Sequence, residues 1–518
     1  MEANEASRDA RRRQRQVNES NSVIIPDRVI DDNKDDRDGE EEESSVSDNS
    51  ICGKPKRLVR LSLFVFMLVL VIGIIGATVL GRRRNGKEIL PDIQATAQDA
   101  SVSPSTSPSV SISPSLSVAP SSVPSSNPTL SAMGSFGQVL LPGTDVFALD
   151  KESPEYQALE WIVSDKRLGL SPDNTTELLE RYALAVFYLS TDGEGWDRNA
   201  FWLSAANQCF WEDVDCNDDR DTVTSLQFRR NDLGGTLPTV VGLLVNLEQL
   251  EIRNSYGPLR GPIPSEIGDL RSLTSLRLWQ TQLSGKLPPT IGKLSRLQNL
   301  VLVESLLKGS IPSEIGLLIA LRRLVFDNIG EIEGPIPTEL GMLSALQHLD
   351  FNNMGFTGSI PTHFGLIRGL TSLQLWQTPL SGTLPTELAQ LTMLQDLILG
   401  HTPFVGSIPT EYGLMTRLSL LKLESILTGP ISTSIPSELG ALLRLEVLDF
   451  NNLSLNGTIP SEVGMLTSLR RLRLMNCNLS GPLPTEIGKV TRLTYLDLTF
   501  NDFGPIPSEI ANLTFRAH

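Results

Sequence analysis

Four cysteines are the residues of this 518-residue chain with the most versatile chemistry, and they lie at Cys52, Cys209, Cys216 and Cys477. As thiolates, cysteines bind metals, attack electrophiles or form disulfides. No clustered histidine or cysteine completes a tetrahedral set around Cys209 and Cys216, so we predict no metal site and no cofactor. Cys477 occupies a position of a repeating pattern where a small hydrogen-bonding residue suffices, which favours a structural role over that of a reactive thiol.

The tripeptide Asp502-Phe503-Gly504 matches a magnesium-binding motif of protein kinases. The glycine-rich loop, the VAIK-like lysine and the HRD-like segment of kinases do not occur in the sequence. The tripeptide follows Asn501 just as Asp-Leu-Gly follows Asn231, so we interpret it as part of a repeat. Motifs of the types GxSxG, HExxH and GxxxxGKS/T are also absent from the sequence. We therefore predict no catalytic residues and a protein that is not an enzyme.

Five Asn-x-Ser/Thr sequences are candidate sites of N-linked glycosylation. All five follow a long apolar segment, and glycosylation at them would place that part of the chain in a lumenal or extracellular compartment. The acceptor asparagines are Asn174, Asn452, Asn456, Asn478 and Asn512.

The chain is acidic, with a formal net charge of -16 and an isoelectric point near 4.9. Binding to nucleic acid needs a basic surface that neutralises phosphates, so this charge disfavours a nucleic-acid partner. We interpret the scattered carboxylates as a solvated surface.

The first 149 residues contain three regions of different composition. Residues 1–60 are charged and polar, which predicts a disordered tail. Leu61–Leu80 has no charged residue, and a helix of this length crosses the roughly 30 Å hydrocarbon layer, so we predict one transmembrane helix at 61–80. Four basic residues flank it on either side, so the flanking charges do not set its orientation. Residues 81–149 include a Ser/Pro-rich run and are predicted to form a juxtamembrane segment and an extended stalk.

Residues 150–221 have the pattern of a helical N-terminal cap. Ser153 and Pro154 fit the cap and first position of one helix, and Asn174 with Glu177 fits a capping box before a second helix. The apolar faces of these helices need a partner, and the open end of the first coil that follows is the expected one.

Residues 222–518 repeat with a period of mostly 24 residues, in twelve coils that begin between Val223 and Leu493. Each coil contains an LxL sequence, which places two apolar side chains on one face of a short strand. Stacking the coils predicts an α/β fold, a solenoid with a curved parallel sheet and an irregular convex side. Each coil also contains an Ile-Pro or Leu-Pro step, where we expect extended, irregular backbone.

The repeat resembles the plant-type leucine-rich repeat of receptor-like kinases and receptor-like proteins. Residues 469–484, LRRLRLMNCNLSGPLP, follow the pattern LxxLxLxxNxLxGxIP, and residues 209–216, CFWEDVDC, are similar to the family's cap motif CxWxGVxC. The resemblance implies a disulfide between Cys209 and Cys216 and a ligand-binding ectodomain, and the missing kinase motifs predict that no kinase domain accompanies it. In this chain the predicted span precedes the repeats, whereas the family's receptors usually carry it after them.

The outward residues of the sheet are the candidates for ligand contact. Trp279 and Trp376 stand in the matching strings LRLWQT and LQLWQT, which duplication of a four-coil block also explains. Exposed tryptophans are favoured interface anchors, so we predict that both contact a ligand. The other predicted ligand-binding residues are Arg277, Arg323, His348, Asp350, Gln374, Lys422, Asp449 and Arg473, and Asp497 faces the same way.

The leading hypothesis is a membrane-anchored, receptor-like protein whose repeats bind an extracellular or lumenal protein, peptide or glycan. The sequons and the cysteine pair favour a cytosolic N-terminus and an extracellular repeat domain at the plasma membrane. The short tail would signal through a partner such as a co-receptor. An adhesion or matrix-attachment protein without signalling and an inhibitor of an extracellular enzyme are the alternatives.

Overall fold

The computed structural model describes residues 128–253, 257–424 and 434–513. The predicted disordered tail at 1–60, the predicted span at 61–80 and the stalk before residue 128 lie outside these residues. Within the described ranges, none of the helices combines the length and the apolar composition needed to cross a membrane.

In the described part of the chain, three α-helices precede the coils: α1 (Pro128–Leu140), α2 (Pro154–Ser164) and α3 (Thr175–Ser190). The predicted start of α2 is confirmed, because Ser153 Oγ accepts a hydrogen bond from the backbone N–H of Tyr156 at 3.2 Å. Helix α3 also begins where predicted, but the capping box is not formed. Asn174 makes no side-chain bond to the helix backbone, and its Nδ2 instead donates to Glu177 Oε2 at 2.8 Å.

Helix α1 lies inside the segment that the sequence analysis assigned to the stalk at 81–149, so that boundary was wrong. Met133, Phe136 and Leu140 are spaced three and four residues apart and therefore lie on one helical face. Met133 and Leu140 are buried with Leu159 of α2 and Tyr182 of α3. The Ser/Pro-rich composition before residue 128 concealed this short apolar face, and the helical cap begins at Pro128 instead of residue 150.

Within the described residues the main sheet has one antiparallel strand followed by twelve parallel strands, which confirms the predicted number of coils. The LxL leucines pair in register, as Leu226 does with Leu250 and Leu250 with Leu276. The strands are β1 (Val214–Cys216), β2 (Val223–Arg229), β3 (Gln249–Arg253), β5 (Ser275–Trp279), β7 (Asn299–Gly309), β8 (Arg323–Gly334), β9 (His348–Asn352), β11 (Ser372–Trp376), β13 (Asp396–Gly400), β15 (Leu420–Glu424), β16 (Val447–Asp449), β17 (Arg471–Arg473) and β19 (Tyr495–Asp497).

Short strands outside this path pair between neighbouring coils. The last of them contains Asp502 and Phe503 and pairs with the strand at Ser480, which supports the interpretation of that tripeptide as part of a coil. These strands are β4 (Arg260–Pro262), β6 (Gln282–Gly285), β10 (Gly355–Phe356), β12 (Gly382–Thr383), β14 (Phe404–Val405), β18 (Ser480–Gly481) and β20 (Asp502–Phe503).

The proline steps of the coils are extended as predicted, but each is followed by a five-residue 3-10 helix that the sequence analysis did not predict. These helices stack closely where the fourth residue is glycine: a Cβ on Gly316 would lie 2.6 Å from the carbonyl oxygen of Glu339 in the next coil. They are Thr239–Leu243, Ser265–Asp269, Pro289–Lys293, Ser313–Leu317, Thr338–Met342, Thr362–Leu366, Thr386–Gln390, Thr410–Leu414, Ser437–Ala441, Ser461–Met465, Thr485–Lys489 and Ser508–Asn512.

The core lies between the main sheet and these 3-10 helices. Leu324 and Phe326 of β8 are buried in the same cluster as Ile315 of the preceding 3-10 helix and Leu318, which follows that helix. Burial of each such side chain contributes roughly 1.5–3 kcal/mol before the entropy of ordering is subtracted. The two apolar faces of a coil therefore hold the sheet and the 3-10 helices together.

The cap covers the open end of the first coil, as predicted. Phe187 of α3 stacks on Phe228 of β2 with ring centroids 5.2 Å apart, and Trp196 packs edge-on against the same ring at 5.1 Å. Three short 3-10 helices complete the cap, at Lys166–Leu168, Gly193–Gly195 and Gln208–Phe210.

Cys209, Cys216 and Cys477 have the structural roles that the sequence analysis favoured. Cys209 and Cys216 form a disulfide, with Cα atoms 5.5 Å apart, at the entry to the first coil. Cys477 is a buried free thiol in the core of a late coil, and burial raises the pKa of that thiol to about 12. At neutral pH it is therefore protonated and a poor nucleophile.

Candidate ligand-binding face

The outward face of the main sheet carries three rows of side chains, because residues alternate sides along a strand and neighbouring strands pair in register. Trp279 stands beside Arg253 and Val303 in one row, and in the same row Trp376 stands beside Asn352 and Gly400. The structure thus brings all predicted ligand-binding residues to one face. The middle row contains Arg277, Asp350, Gln374, Lys422, Asp449, Arg473 and Asp497, and the row at the strand starts contains Arg323 and His348.

Trp376 is the centre of a compact group that we call the Trp376 cluster: Trp376, His401, Lys422 and Glu424 around Gly400. The ammonium nitrogen of Lys422 lies 4.1 Å from the centroid of the Trp376 ring, and the ring of His401 meets it edge-on with centroids 4.2 Å apart. Gly400 makes this possible, because a Cβ there would lie 1.9 Å from the Trp376 ring. The indole therefore lies across the neighbouring coil.

Glu424 joins the two basic members of the Trp376 cluster. Its carboxylate lies 3.3 Å from Lys422 Nζ and 3.8 Å from His401 Nε2. Burial lowers the pKa of His401 below its usual value of 6.5, and Lys422 adds to this effect while Glu424 opposes it. At neutral pH the cluster therefore presents a neutral imidazole beside a cation and an aromatic ring.

Asp449 and Arg473 extend the Trp376 cluster towards the last coils. Their side chains approach to 3.4 Å, and the guanidinium carbon of Arg473 lies 5.0 Å from the ring centroid of Tyr495. Asp449 is only 2% exposed, and burial raises the pKa of its carboxyl group. Of the two predicted ligand-binding residues, Arg473 is thus the accessible one, and Asp449 holds it in place.

Trp279 has different surroundings. The guanidinium carbon of Arg253 lies 4.5 Å from the Trp279 ring centroid, and the residue beside it in the next strand is Val303. Arg229 forms a bidentate ion pair with Glu251, at 2.9 and 3.1 Å. The face here is basic and its tryptophan is covered on one side by an arginine.

The middle of the face is packed instead of open. Val301 and Val325, which point outward from β7 and β8, are only 3% and 6% exposed. Burial, together with the nearby Asp327, raises the pKa of Asp350 to about 7, while Arg323 acts in the opposite direction. This part of the face separates the Trp279 surroundings from the Trp376 cluster.

The sequence analysis did not select His401, Glu424 or Tyr495. Glu424 and Tyr495 lie on the strands at outward positions, so the same alternation that selected Lys422 would have found them. His401 follows the end of β13 with a positive φ of 57°, outside the LxL pattern. Only the packing against Trp376 identifies it.

The candidate glycosylation sites lie at the surface. Asn174, Asn456, Asn478 and Asn512 are exposed and Asn452 is half-buried. Asn478 Nδ2 donates to Asn456 Oδ1 at 3.0 Å, so these two acceptors are neighbours on adjacent coils.

Comparison with protein families identifies repeats in this chain. A family model described as a leucine-rich repeat region matches residues 226–358, and a leucine-rich repeat model matches residues 468–490 and 492–513. A polygalacturonase inhibitor from Pyrus communis is 37% identical over 79 residues, which cover 15% of this chain and 24% of the inhibitor.

Two solved plant receptor structures are similar to more than half of this chain. The plant peptide hormone receptor RGFR1, solved in complex with RGF2, is 32% identical, with a TM-score of 0.55 over 59% of this chain and 52% of the receptor. The crystal structure of PEPR1-AtPEP1 is 30% identical, with a TM-score of 0.56 over 66% of this chain and 51% of that chain. This chain spans about half of each receptor chain and about a quarter of the inhibitor.

Proposed function

We propose that this leucine-rich-repeat protein, similar to plant receptor ectodomains, is a recognition protein that binds a peptide or protein on the outward face of its main sheet. The Trp376 cluster and Arg473 are the proposed anchor. The repeats act by binding, and the neighbouring coils hold the anchor in place.

The observation that carries this proposal is the composition and support of the Trp376 cluster. An aromatic ring, a cation and an imidazole stand together on a rigid parallel sheet, at positions where no core packing requires them. Tryptophan and arginine are the residues most enriched among binding hot spots. A partner that covers this group excludes water from the Lys422–Glu424 pair, which strengthens the electrostatic contacts.

The comparisons support a peptide as the ligand class. The receptor RGFR1 is solved with RGF2, and PEPR1 is solved with AtPEP1. Both receptors match this chain at 30% identity or more over more than half of its length. A glycan ligand has no comparable support.

A selection experiment tests this function. A random peptide display library is selected on the full chain and then counter-selected on the Trp376→Ala variant. We expect an enriched consensus that binds the full chain at least tenfold more tightly than the variant, which corresponds to about 1.4 kcal/mol. Trp279→Ala is the matched control. Selected peptides that bind the full chain and Trp376→Ala equally well would contradict the proposal.

We also propose that the chain is a single-pass protein of the plasma membrane, anchored by residues 61–80. In this arrangement the N-terminal tail is cytosolic, the repeats are extracellular, and a co-receptor carries any signal. The exposed acceptor asparagines support an extracellular repeat domain. Protease protection of intact cells, combined with enzymatic deglycosylation, tests this orientation: repeats that are protected and carry no glycan would disprove it.

An inhibitor of an extracellular enzyme is the second candidate function, and the match to the pear polygalacturonase inhibitor favours it. In that case the purified chain should reduce the rate at which a polygalacturonase cleaves polygalacturonate. Undiminished cleavage at a saturating concentration of the chain would leave the receptor-like function as the better supported one.

Adhesion without signalling is the remaining alternative. It differs from the receptor-like function and from enzyme inhibition in that deletion of the N-terminal tail would change no cellular response to a ligand.

A further inference from the structure

Several exposed apolar side chains form a row on the side of the solenoid opposite the main sheet. They are the last residues of five of the 3-10 helices in the middle coils, and we call them the outer apolar row. Its members are large and more than half exposed: Leu317 is 55%, Met342 60%, Leu366 56%, Leu414 63% and Met465 53% exposed. Single exposed apolar residues are normal, but a contiguous row marks an interaction surface.

The outer apolar row is unbroken over Leu317, Met342 and Leu366, continues with interruptions to Met465 and ends in charges. Gln390 and Ala441 occupy the same helix position within it. Before it that position is Asp269 and then Lys293, which form an ion pair at 3.3 Å, and after it the position is Lys489. Leu243, at the same position in the first of these helices, is partly buried against the core, so the exposed apolar residues of this position are confined to the middle coils and are not a requirement of the coil.

A row of carboxylates runs beside the outer apolar row. The second residue of most of these 3-10 helices is a glutamate, three residues before the residue of the apolar row, and residues three apart in a 3-10 helix lie on the same side. Hydroxyl groups hold these carboxylates: Ser313 donates to Glu314 at 3.3 Å and Thr338 donates to Glu339 at 3.3 Å. The glutamate row comprises Glu266, Glu314, Glu339, Glu387, Glu411, Glu438, Glu462, Glu486 and Glu509.

The two rows stand on a closely packed support. A Cβ on Gly341 would lie 2.6 Å from the carbonyl oxygen of His363, and one on Gly464 would lie 2.5 Å from that of Glu486. Successive 3-10 helices therefore touch through their backbones. A partner meets fixed side chains and does not have to order the helices that carry them.

We propose that this surface binds a partner protein through a strip of apolar side chains flanked by lysines or arginines. The apolar strip would cover Leu317, Met342, Leu366 and Leu414, and the basic residues would pair with the neighbouring glutamates. This binding site is separate from the outward face of the main sheet and does not depend on the function proposed for it.

Charge decides between this partner and the alternatives. The formal net charge of -16 makes two copies of the chain repel each other. An anionic membrane surface would be repelled by the negatively charged glutamate row. A basic, apolar protein surface is complementary to both rows.

Binding of two designed peptides to the full chain tests the proposal. One peptide has leucines on one helical face and lysines on the other, and its match has glutamates in place of the lysines. We expect the leucine/lysine peptide to bind, with an affinity that falls several-fold as salt is raised, and the leucine/glutamate peptide to bind at least tenfold more weakly.

Two sets of variants locate the binding. The first set combines Leu317→Gln, Met342→Gln and Leu366→Gln and should lower the affinity for the leucine/lysine peptide about tenfold or more. The control set combines Val245→Gln, Val405→Gln and Phe500→Gln, outside the outer apolar row, and should leave that affinity unchanged. Glutamine already occupies this row at Gln390, so the fold tolerates it.

A variant of the glutamate row combines Glu314→Gln, Glu339→Gln and Glu411→Gln. It should bind the leucine/lysine peptide several-fold more weakly, and that binding should depend less on salt. The control variant combines Glu266→Gln, Glu486→Gln and Glu509→Gln and changes the net charge by the same amount. These three glutamates lie on 3-10 helices whose last residue is not apolar, so the control should weaken peptide binding less.

Two results with the peptides would overturn the proposal: equal binding of both peptides to the full chain, or equal binding of the leucine/lysine peptide to the full chain and to the Leu317→Gln/Met342→Gln/Leu366→Gln variant. Two results without the peptides would also overturn it. The full chain could form a concentration-dependent dimer that this variant does not form, or it could bind phosphatidylserine vesicles that this variant does not bind. Trp376→Ala should leave the leucine/lysine peptide unaffected. That control separates a failure here from a failure of the function proposed for the main sheet.

Discussion

Trp279 and Trp376 occupy the same position in matching strings of six residues, yet the structure gives them different surroundings. Trp279 lies beside Val303 of the next strand and under the guanidinium of Arg253. Trp376 lies over Gly400 of the next strand and contacts His401. On a parallel sheet the neighbouring coil, about 24 residues away in the sequence, therefore determines what an outward side chain can do.

The largest expected effect concerns what the two regions share. Leu278→Ala and Leu375→Ala each remove a buried side chain beneath the outward row, at 1% and 0% exposure, so each should lower the free energy of unfolding by about 2–5 kcal/mol. Chemical denaturation followed by circular dichroism measures this. A loss below about 1 kcal/mol at either site would show that the two coils do not have equivalent cores.

Each tryptophan should take on the surroundings of the other when the residue beside it on the next strand is exchanged between glycine and valine. Gly400→Val places a side chain where the Trp376 ring now lies, which should cost about 1–3 kcal/mol of stability and displace the indole. Val303→Gly should free the Trp279 ring to move across its neighbouring coil. Tryptophan fluorescence of single-tryptophan backgrounds, together with binding of the selected peptides, measures both changes. Unchanged peptide binding by Gly400→Val would show that the indole position is irrelevant to recognition.

The two cation–ring contacts should contribute similar, smaller energies. In double-mutant cycles, Lys422→Met with Trp376→Leu and Arg253→Met with Trp279→Leu should each give a coupling of about 0.5–1 kcal/mol. Thermal or chemical unfolding of the four single and two double variants provides the values. Coupling at only one of the two sites would mean that the other contact is not maintained in solution.

The smallest effect distinguishes the two regions by pH. The pKa of His401 is lowered in the folded chain, so below pH 6.5 the unfolded chain binds more protons at this site. This histidine should therefore stabilise the fold less as the pH falls from 6.5 through the lowered pKa. A fluorescence titration should detect a transition at Trp376 that His401→Gln removes, and none at Trp279. A midpoint above 6.5 would contradict the burial of the imidazole.

The sequence predicted the repeats, the number of coils and the outward rows, because these follow from periodicity alone. It placed Lys422 and Arg473 on the outward face correctly. It could not show that Asp449 is buried at that face or that Val301 and Val325 are covered. Burial at an outward position depends on the size of side chains in adjacent coils, which the alternation pattern does not contain.

The cap and the outer side of the solenoid were predicted less completely. Helix α1 was missed because its apolar face is short and follows a Ser/Pro-rich run. The 3-10 helices were missed because proline was taken to keep the whole arm irregular, although it fixes only its own φ and leaves the following residues free to turn.

The sequence by itself determined the period of the chain and therefore which side chains are buried between coils. Local alternation and spacing contain that information, since every coil repeats the same contacts with its neighbours. Only the tertiary structure decided which outward residues form a site. The Trp376 cluster joins residues of three different coils, and its geometry depends on the absence of a side chain at Gly400.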